Sequence, residues 1–162
     1  MCNRKLITRC AVVITLLACV AACNDNRAAG PGKLPSSPLT IERSLQLNAA
    51  TLNVALADTE KLRETGLMHI SYLPEDEGMI FAYPDERMLY FWMKNTLIPL
   101  DIAFLDQNGK VIRVTHMEPL DETLHPSGGL AMYALETNRG WMEKHGLKPG
   151  LTVANLPGPG HE

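Results

Sequence analysis

The residues from Phe91 to Asp101 set four polar side chains, Lys94, Asn95, Thr96 and Asp101, in a run that is otherwise aromatic and aliphatic. Polar groups in such surroundings need partners or a ligand, because burying them bare is costly. A cation, a carboxylate and two hydrogen-bonding groups beside the Trp92 indole suit a small ligand with an anionic or hydrogen-bonding head. His125-Pro126-Ser127-Gly128-Gly129 offers a second chemistry, a serine beside glycine amides that could form an oxyanion hole for a hydrolase. The segment lacks a nucleophile-elbow pattern, and Pro-Ser-Gly-Gly is first of all a turn signal. A third chemistry is soft-metal binding, because Met68-His69, His116-Met117 and Met79, Met88, Met93, Met132 and Met142 supply thioether and imidazole groups suited to Cu(I). These methionines sit beside apolar neighbours and read better as core filler. Glu75-Asp76-Glu77 lacks the alternating ligand spacing of a calcium loop and reads as a solvated turn.

The elements that must position these residues are short. Thr51 to Ala57 alternates as a strand does, and Asp58 is placed to cap a short helix through Glu64, with Gly66 just past its end. Met79 to Tyr83, Met88 to Lys94, Leu100 to Asp106, Lys110 to Glu118 and Leu130 to Glu136 read as further strands, with a last one near Leu151 to Ala154. Asn138 is placed to cap a second short helix, Arg139 to His145, ended by Gly146, with Trp141 and Leu147 packed into the core. The pattern predicts a single β-rich α+β domain, mostly antiparallel, forming a strongly curved sheet or small barrel with two short helices.

Asn108-Gly109 is a strong hairpin signal and predicts a two-residue turn. That turn sets Leu105 opposite Ile112, Ala103 opposite Val114 and Asp101 opposite His116. A second hairpin through residues 95–100 would set Lys94 opposite Asp101 and Trp92 opposite Ala103. Alternation then puts Tyr90, Trp92, Ala103, Leu105, Ile112 and Val114 on one face and Leu89, Phe91, Met93, Ile102, Phe104 and Met117 on the other. Lys94, Asp101 and His116 would form a row at one rim, with Trp92 alongside and Asn95 and Thr96 on the adjoining loop. Those six residues are the candidate ligand-binding set. The row reads somewhat better as a cross-strand ion pair without a ligand, since such pairs are common at sheet rims. A metal at Asp101 and His116 lacks a third ligand, and no cofactor is expected.

The first residues are a leader. Arg4, Lys5 and Arg9 precede an apolar stretch from Cys10 to Val20, too short to span a bilayer and long enough for a signal peptide. Val20-Ala21-Ala22-Cys23 resembles a bacterial lipobox, which implies cleavage after residue 22 and lipidation, palmitate included, at Cys23. Two lipid chains are enough for stable anchoring, at about 0.8 kcal/mol per buried methylene. All four cysteines lie at or before Cys23, so the folded part has no disulfide, zinc-thiolate site or cysteine nucleophile. Losing the leader leaves 12 Lys and Arg against 18 Asp and Glu, a net charge of −6. That balance argues against nucleic acid as a partner. Residues 23–43 are rich in Ala, Gly, Pro and Ser and read as a tether reaching on the order of 25 Å. Residues 44–155 are the globular domain, and 156–162 read as a disordered tail.

Several separate blocks carry a family resemblance. Gly66-Leu67-Met68, Leu73-Pro74-Glu75-Asp76-Glu77-Gly78-Met79, Phe91-Trp92-Met93-Lys94-Asn95-Thr96, Ile98-Pro99-Leu100-Asp101, Pro126-Ser127-Gly128-Gly129 and Leu135-Glu136 occur in one order over Leu52 to Val153. Together they resemble the bacterial and archaeal family known as domain of unknown function 192. The resemblance implies a compact β-rich domain, often exported or lipid-anchored, and no established activity, cofactor or catalytic residue. It also marks one departure: family members usually carry a basic residue where this chain has Ile70, beside His69. The expectation is an envelope lipoprotein facing the periplasm, anchored in the outer membrane. It would be a non-catalytic module holding a small ligand, a glycan or an envelope protein at an aromatic-polar rim. A hydrolase using Ser127 or a Cu(I)-binding protein are the alternatives.

Overall fold

The computed structural model describes residues 37–47 and 50–162, so the leader, Cys23 and most of the tether lie outside the described residues. Eight elements follow in order: β1 (Arg43–Leu47), β2 (Ala50–Ala57), α1 (Glu60–Thr65), β3 (Glu77–Phe91), β4 (Leu100–Leu105), β5 (Val111–Met117), β6 (His125–Asn138) and α2 (Trp141–Lys144). They form one six-stranded sheet in the order β1-β2-β3-β6-β4-β5. The sheet is open rather than closed into a barrel. Every pairing is antiparallel except β2 with β3, where Asn53 to Ala57 run parallel to Glu77 to Phe81. A parallel pair needs a crossover, and α1 supplies it.

The long central strands carry the architecture. β6 is buried along most of its length, and it lies between β3 and β4. A strand apolar on both sides belongs in the middle of a covered sheet. The expected strands Met79 to Tyr83 and Met88 to Lys94 are one element, β3, whose register against β6 shifts between Ala82 and Arg87. Pro84 falls in that irregularity, where a residue without an N–H is tolerated.

Two apolar clusters cover the two faces. One joins Leu45, Leu52, Val54, Ile80, Ala103, Leu105 and Leu135 to Trp141, Met142 and Leu147 from α2 and its sequel. The other joins Phe81, Leu89, Phe91, Met93, Ile102, Phe104, Met117 and Ala134 to Leu67 and Leu73 from the segment after α1. Phe91 stands edge-on to both Phe81 (4.9 Å) and Phe104 (5.7 Å). Leu89, Phe91, Met93, Ile102, Phe104 and Met117 therefore share a face, as alternation predicts. On the other predicted face only Ala103, Leu105 and Val114 meet, while Tyr90 and Trp92 are exposed and Ile112 packs with the opposite cluster.

Ile112 changes sides because the β4–β5 turn is not the two-residue type. Gly109, at φ 77°, donates its N–H to Asp106, and Asp106 Oδ1 accepts from the N–H groups of Asn108 and Lys110. This longer turn carries a bulge that pairs Leu105 with Val111 instead of Ile112. Beyond it the predicted register resumes, with Ala103 opposite Val114 and Asp101 opposite His116.

Candidate functional site

The second predicted hairpin does not form. β6 stands between β3 and β4, so Trp92 does not face Ala103 and Lys94 does not face Asp101. The chain from Met93 onward makes other bonds. His69 N–H donates to the Asn95 carbonyl (2.8 Å), Leu120 N–H to that of Thr96 (3.0 Å), and Asn95 adopts φ 57°. Backbone groups tied to two distant loops cannot also close a hairpin. The six candidate residues thus divide into two pairs and a loop. Lys94 Nζ lies 5.0 Å from the centroid of the Trp92 ring, and both side chains are exposed. Asn95 is exposed on the loop and Thr96 is buried beside it.

Asp101 and His116 remain together on the face covered by α2. Asp101 is fully buried, and its Oδ1 lies 2.5 Å from His116 Nδ1. Its Oδ2 accepts from the N–H groups of Gly140 (2.9 Å) and Met142 (3.4 Å). The carboxylate therefore caps α2, the task that the sequence assigns to Asn138. Asn138 instead donates from Nδ2 to the carbonyls of Leu73 and Pro74. Gly140 takes the N-cap position at φ 81°, a left-handed conformation that favours glycine. A cleft of about 450 Å3 lies here, lined by Asp101, His116, Glu143, Leu147 and Lys148 among others. His116 is more than half exposed and presents a hydrogen-bonding group to it.

A second cleft, of about 460 Å3, lies on the α1 side. Glu60, Arg63 and Glu64 line one wall, Phe91 and Trp92 another, with Tyr83, Arg87, Tyr90 and Glu162 completing it. A narrow chamber of about 40 Å3 shares Arg63, Glu64, Phe91 and Trp92 with this cleft. Gly66, Leu67, Met68, Phe81, Thr96 and Glu136 also line the chamber. Trp92 and Thr96 thus meet at a cavity, although not the one that the predicted row would have made.

Glu136 is the residue that sequence reasoning missed as a site group. It pairs with Met79 and Ile102 at the end of β6 and is 4% exposed. Among the described residues, no side-chain hydrogen bond or ion pair reaches its carboxyl. Loss of water pushes its pKa up from 4.5 to about 8, so the group is protonated at neutral pH. Tyr83 is raised too, chiefly by burial, with Arg63 opposing and Glu136 adding to the shift. The signal in the sequence was an acid at the end of a strand that is apolar on both sides.

Arg63 and Arg87 shape the outer cleft. Arg63 donates from one terminal nitrogen to the carbonyls of Asp58 (2.8 Å) and Ala82 (2.9 Å), and from the other to that of His161 (2.8 Å). Its guanidinium also lies 4.9 Å from the centre of the Tyr83 ring. Arg87 pairs with Asp85 and, at 3.3 Å, with Glu162. The tail expected to be disordered is bound here. Gly160 N–H donates to the Tyr83 carbonyl, His161 N–H to that of Asp58, and the Tyr133 hydroxyl to that of Pro157.

The other sequence candidates occupy structural positions. Ser127 is fully buried, accepts from Leu89 N–H (3.1 Å) and donates to the Gly129 carbonyl (2.6 Å). Met79, Met93 and Met117 lie in one core cluster, Met132 and Met142 in the other. The sheet separates the two sets. Among the described residues, no three His, Cys, Asp or Glu side chains cluster closely enough to hold a metal ion, and no helix is long and apolar enough to cross a membrane. The acidic turn is tied down: Asp76 accepts from Trp141 Nε1 (3.0 Å) and Glu75 pairs with Lys144. Ile70 packs against the apolar cluster of its face, and His69 holds the positive φ of 63°.

Residues 43–154 match the profile of a family described as an uncharacterised ACR, DUF192. No protein of curated function matches the chain. Two solved structures are similar over most of it. One, from Novosphingobium aromaticivorans, is described as a protein of unknown function; it is 36% identical, with 78% of this chain and 93% of that one covered, at a TM-score of 0.66. The other, from Sinorhizobium meliloti, is described provisionally as a transcription regulator; it is 32% identical, with 68% and 88% covered, at a TM-score of 0.64.

Proposed function

The chain belongs to the DUF192 family, and from its geometry we propose that it is a non-catalytic module of the bacterial envelope that binds a small ligand in the cleft between α1 and Trp92. One observation carries this reading. Glu136 is 4% exposed, makes no side-chain hydrogen bond or ion pair with another described residue, and lines a small pocket that adjoins the cleft. A carboxyl so nearly buried loses most of its hydration, and a polar ligand group beside it would restore a partner. The exposed rings of Trp92 and Tyr90 at the cleft supply the apolar contact that small-ligand sites require.

Attachment to the membrane is the second half of the proposal. It rests on the basic start, the apolar stretch and the Val20-Ala21-Ala22-Cys23 sequence, which favour lipidation at Cys23 and a domain facing the periplasm, while Asn24 after Cys23 resembles outer-membrane lipoproteins. Metabolic labelling with an alkyne analogue of palmitate checks it: wild type should carry the label and Cys23→Ala should not. Ligand binding is tested by purification from membranes and mass spectrometry of what remains bound. Wild type should retain a small molecule that Trp92→Ala releases, and identical retention by both proteins would exclude the cleft.

The alternatives have less support. Ser127 already bonds two backbone groups, and Met79, Met93 and Met117 pack on one face of the sheet with Met132 and Met142 on the other. A serine-directed probe that labels wild type but not Ser127→Ala would favour the hydrolase. Retention of Cu(I) against a weak chelator would favour the metal-binding reading.

A further inference from the structure

We infer that the inner chamber receives a primary ammonium group, with the Glu136 carboxylate as its counter-ion and an apolar or aromatic body of the ligand in the outer cleft. The inference rests on the cleft reading above and names the ligand class for it. Three observations converge. The first is Glu136, more than nine-tenths buried and without a side-chain partner among the described residues. A carboxyl in this position gains most from a cation, which makes the ionised form favourable where burial alone opposes it.

The second is size. The chamber holds about 40 Å3, little more than the ~30 Å3 share of one water molecule in the liquid. It suits one small head group, while the adjoining cleft of about 460 Å3, which shares Arg63, Glu64, Phe91 and Trp92 with it, has room for the rest. An ammonium has three donors. Glu136 accepts from it, and the hydroxyl of Thr96, which also lines the chamber, is a second acceptor.

The third is the surrounding charge and aromatic character. Glu60, Glu64 and Glu162 set three exposed acids around the cleft, against Arg63 and Arg87. Both guanidiniums are engaged, Arg87 with Asp85 and Glu162, and Arg63 with three backbone carbonyls. The aromatic faces already collect cations: Lys94 lies over Trp92 and Arg63 over Tyr83. Rings so placed attract a ligand cation by the same quadrupole.

The binding step is a proton exchange. At pH 7 the Glu136 carboxyl carries a proton, the amine arrives as R–NH3+, and on binding the carboxyl proton passes to the buffer. Glu60, Arg63, Glu64, Tyr83, Arg87 and Glu162 are the other titratable groups at these cavities, and burial raises the Tyr83 phenol above its ordinary value, further from neutral pH.

The test uses the full chain in detergent, with 2-phenylethylamine and the near-isosteric 2-phenylethanol as probes. Calorimetry at pH 7 in phosphate and in HEPES, two buffers of different ionisation enthalpy without a primary amine, reports protons released. The indole N–H signal of Trp92, identified by its loss in Trp92→Phe, reports arrival in the cleft. The amine should bind at least tenfold tighter than the alcohol and release close to one proton. Glu136→Gln should lose that preference and that proton, and the wild-type proton count stands even if this variant folds poorly. Equal affinity for the two probes, or no proton release, overturns the inference. If the probes move the Trp92 signal without preference or proton release, the cleft reading survives and the ammonium assignment fails. If neither probe moves it, the ammonium assignment fails too, and the membrane co-purification alone decides the cleft reading.

Discussion

Glu136 has a measurable effect on stability even without a ligand. Its folded pKa, about 8, lies above its ordinary 4.5. Between these values the unfolded chain holds fewer protons at this position than the folded one. The contribution therefore disfavours folding increasingly as pH rises through the window, by roughly 1.4 kcal/mol per pH unit. Below about pH 4.5 both states are protonated and the effect vanishes. Glu136→Gln should flatten the slope of unfolding free energy from pH 5 to 8 and stabilise the protein at pH 8, as urea titrations at several pH values would show. An unchanged slope would mean that the carboxyl is solvated. Ser127 supports a different prediction. Its Oγ is the acceptor for the buried Leu89 N–H, so Ser127→Ala should destabilise the fold by about 1–3 kcal/mol in the same titration. A loss below 0.5 kcal/mol would free the hydroxyl for another role.

At the scale of elements, the three central strands place Glu136, and their spacing depends on Gly78. A Cβ at that position would lie 2.3 Å from the Glu136 carbonyl oxygen, so the β3–β6 ladder could not keep its separation. Gly78→Ala should cost about 1–3 kcal/mol by overcrowding and should weaken cleft binding by moving the strand that carries Glu136. Thermal melts and the Trp92 indole signal check both effects together. Several elements were legible in the chain itself. Alternation gave the β4 and β5 spans nearly to the residue and identified the shared face of Leu89, Phe91, Ile102 and Phe104. The caps were less legible. Thr59, one residue after the expected Asp58, caps α1, and the α2 cap comes from Asp101, 39 residues before Gly140 in the chain. Local sequence cannot show a cap supplied by another strand.

At the scale of the whole molecule, residues 157–162 fold back onto the cleft. Gly160 sits so close to β3 that a Cβ would lie 2.1 Å from the Ala82 carbonyl. Gly160→Ala should release this segment and raise amide hydrogen exchange at Gly160 and His161, whose N–H groups bond Tyr83 and Asp58. It should also loosen Arg63 and widen the cleft at Glu162. Unchanged exchange at those two amides would show that the contact is not needed to hold the segment. The composition Pro-Gly-Pro-Gly reads as tail because it cannot build an element of its own. It is ordered here by bonds to a strand and a helix that the local sequence does not reveal.

The order of the sheet explains why the candidate site was only partly readable. By itself the sequence determined the β-rich class, the two short helices, the family blocks and the Asp101–His116 pairing, because periodicity and turn chemistry act between near neighbours. It could not determine that β6 inserts between β3 and β4. That choice depends on where a strand apolar on both sides can be covered, which is a property of the assembled sheet. The insertion separated Lys94 from Asp101 and left Trp92 and Thr96 with Glu136, a residue from 40 positions further along the chain than Thr96. Local pattern located the unusual polar residues, and the long-range packing decided which of them share a cavity.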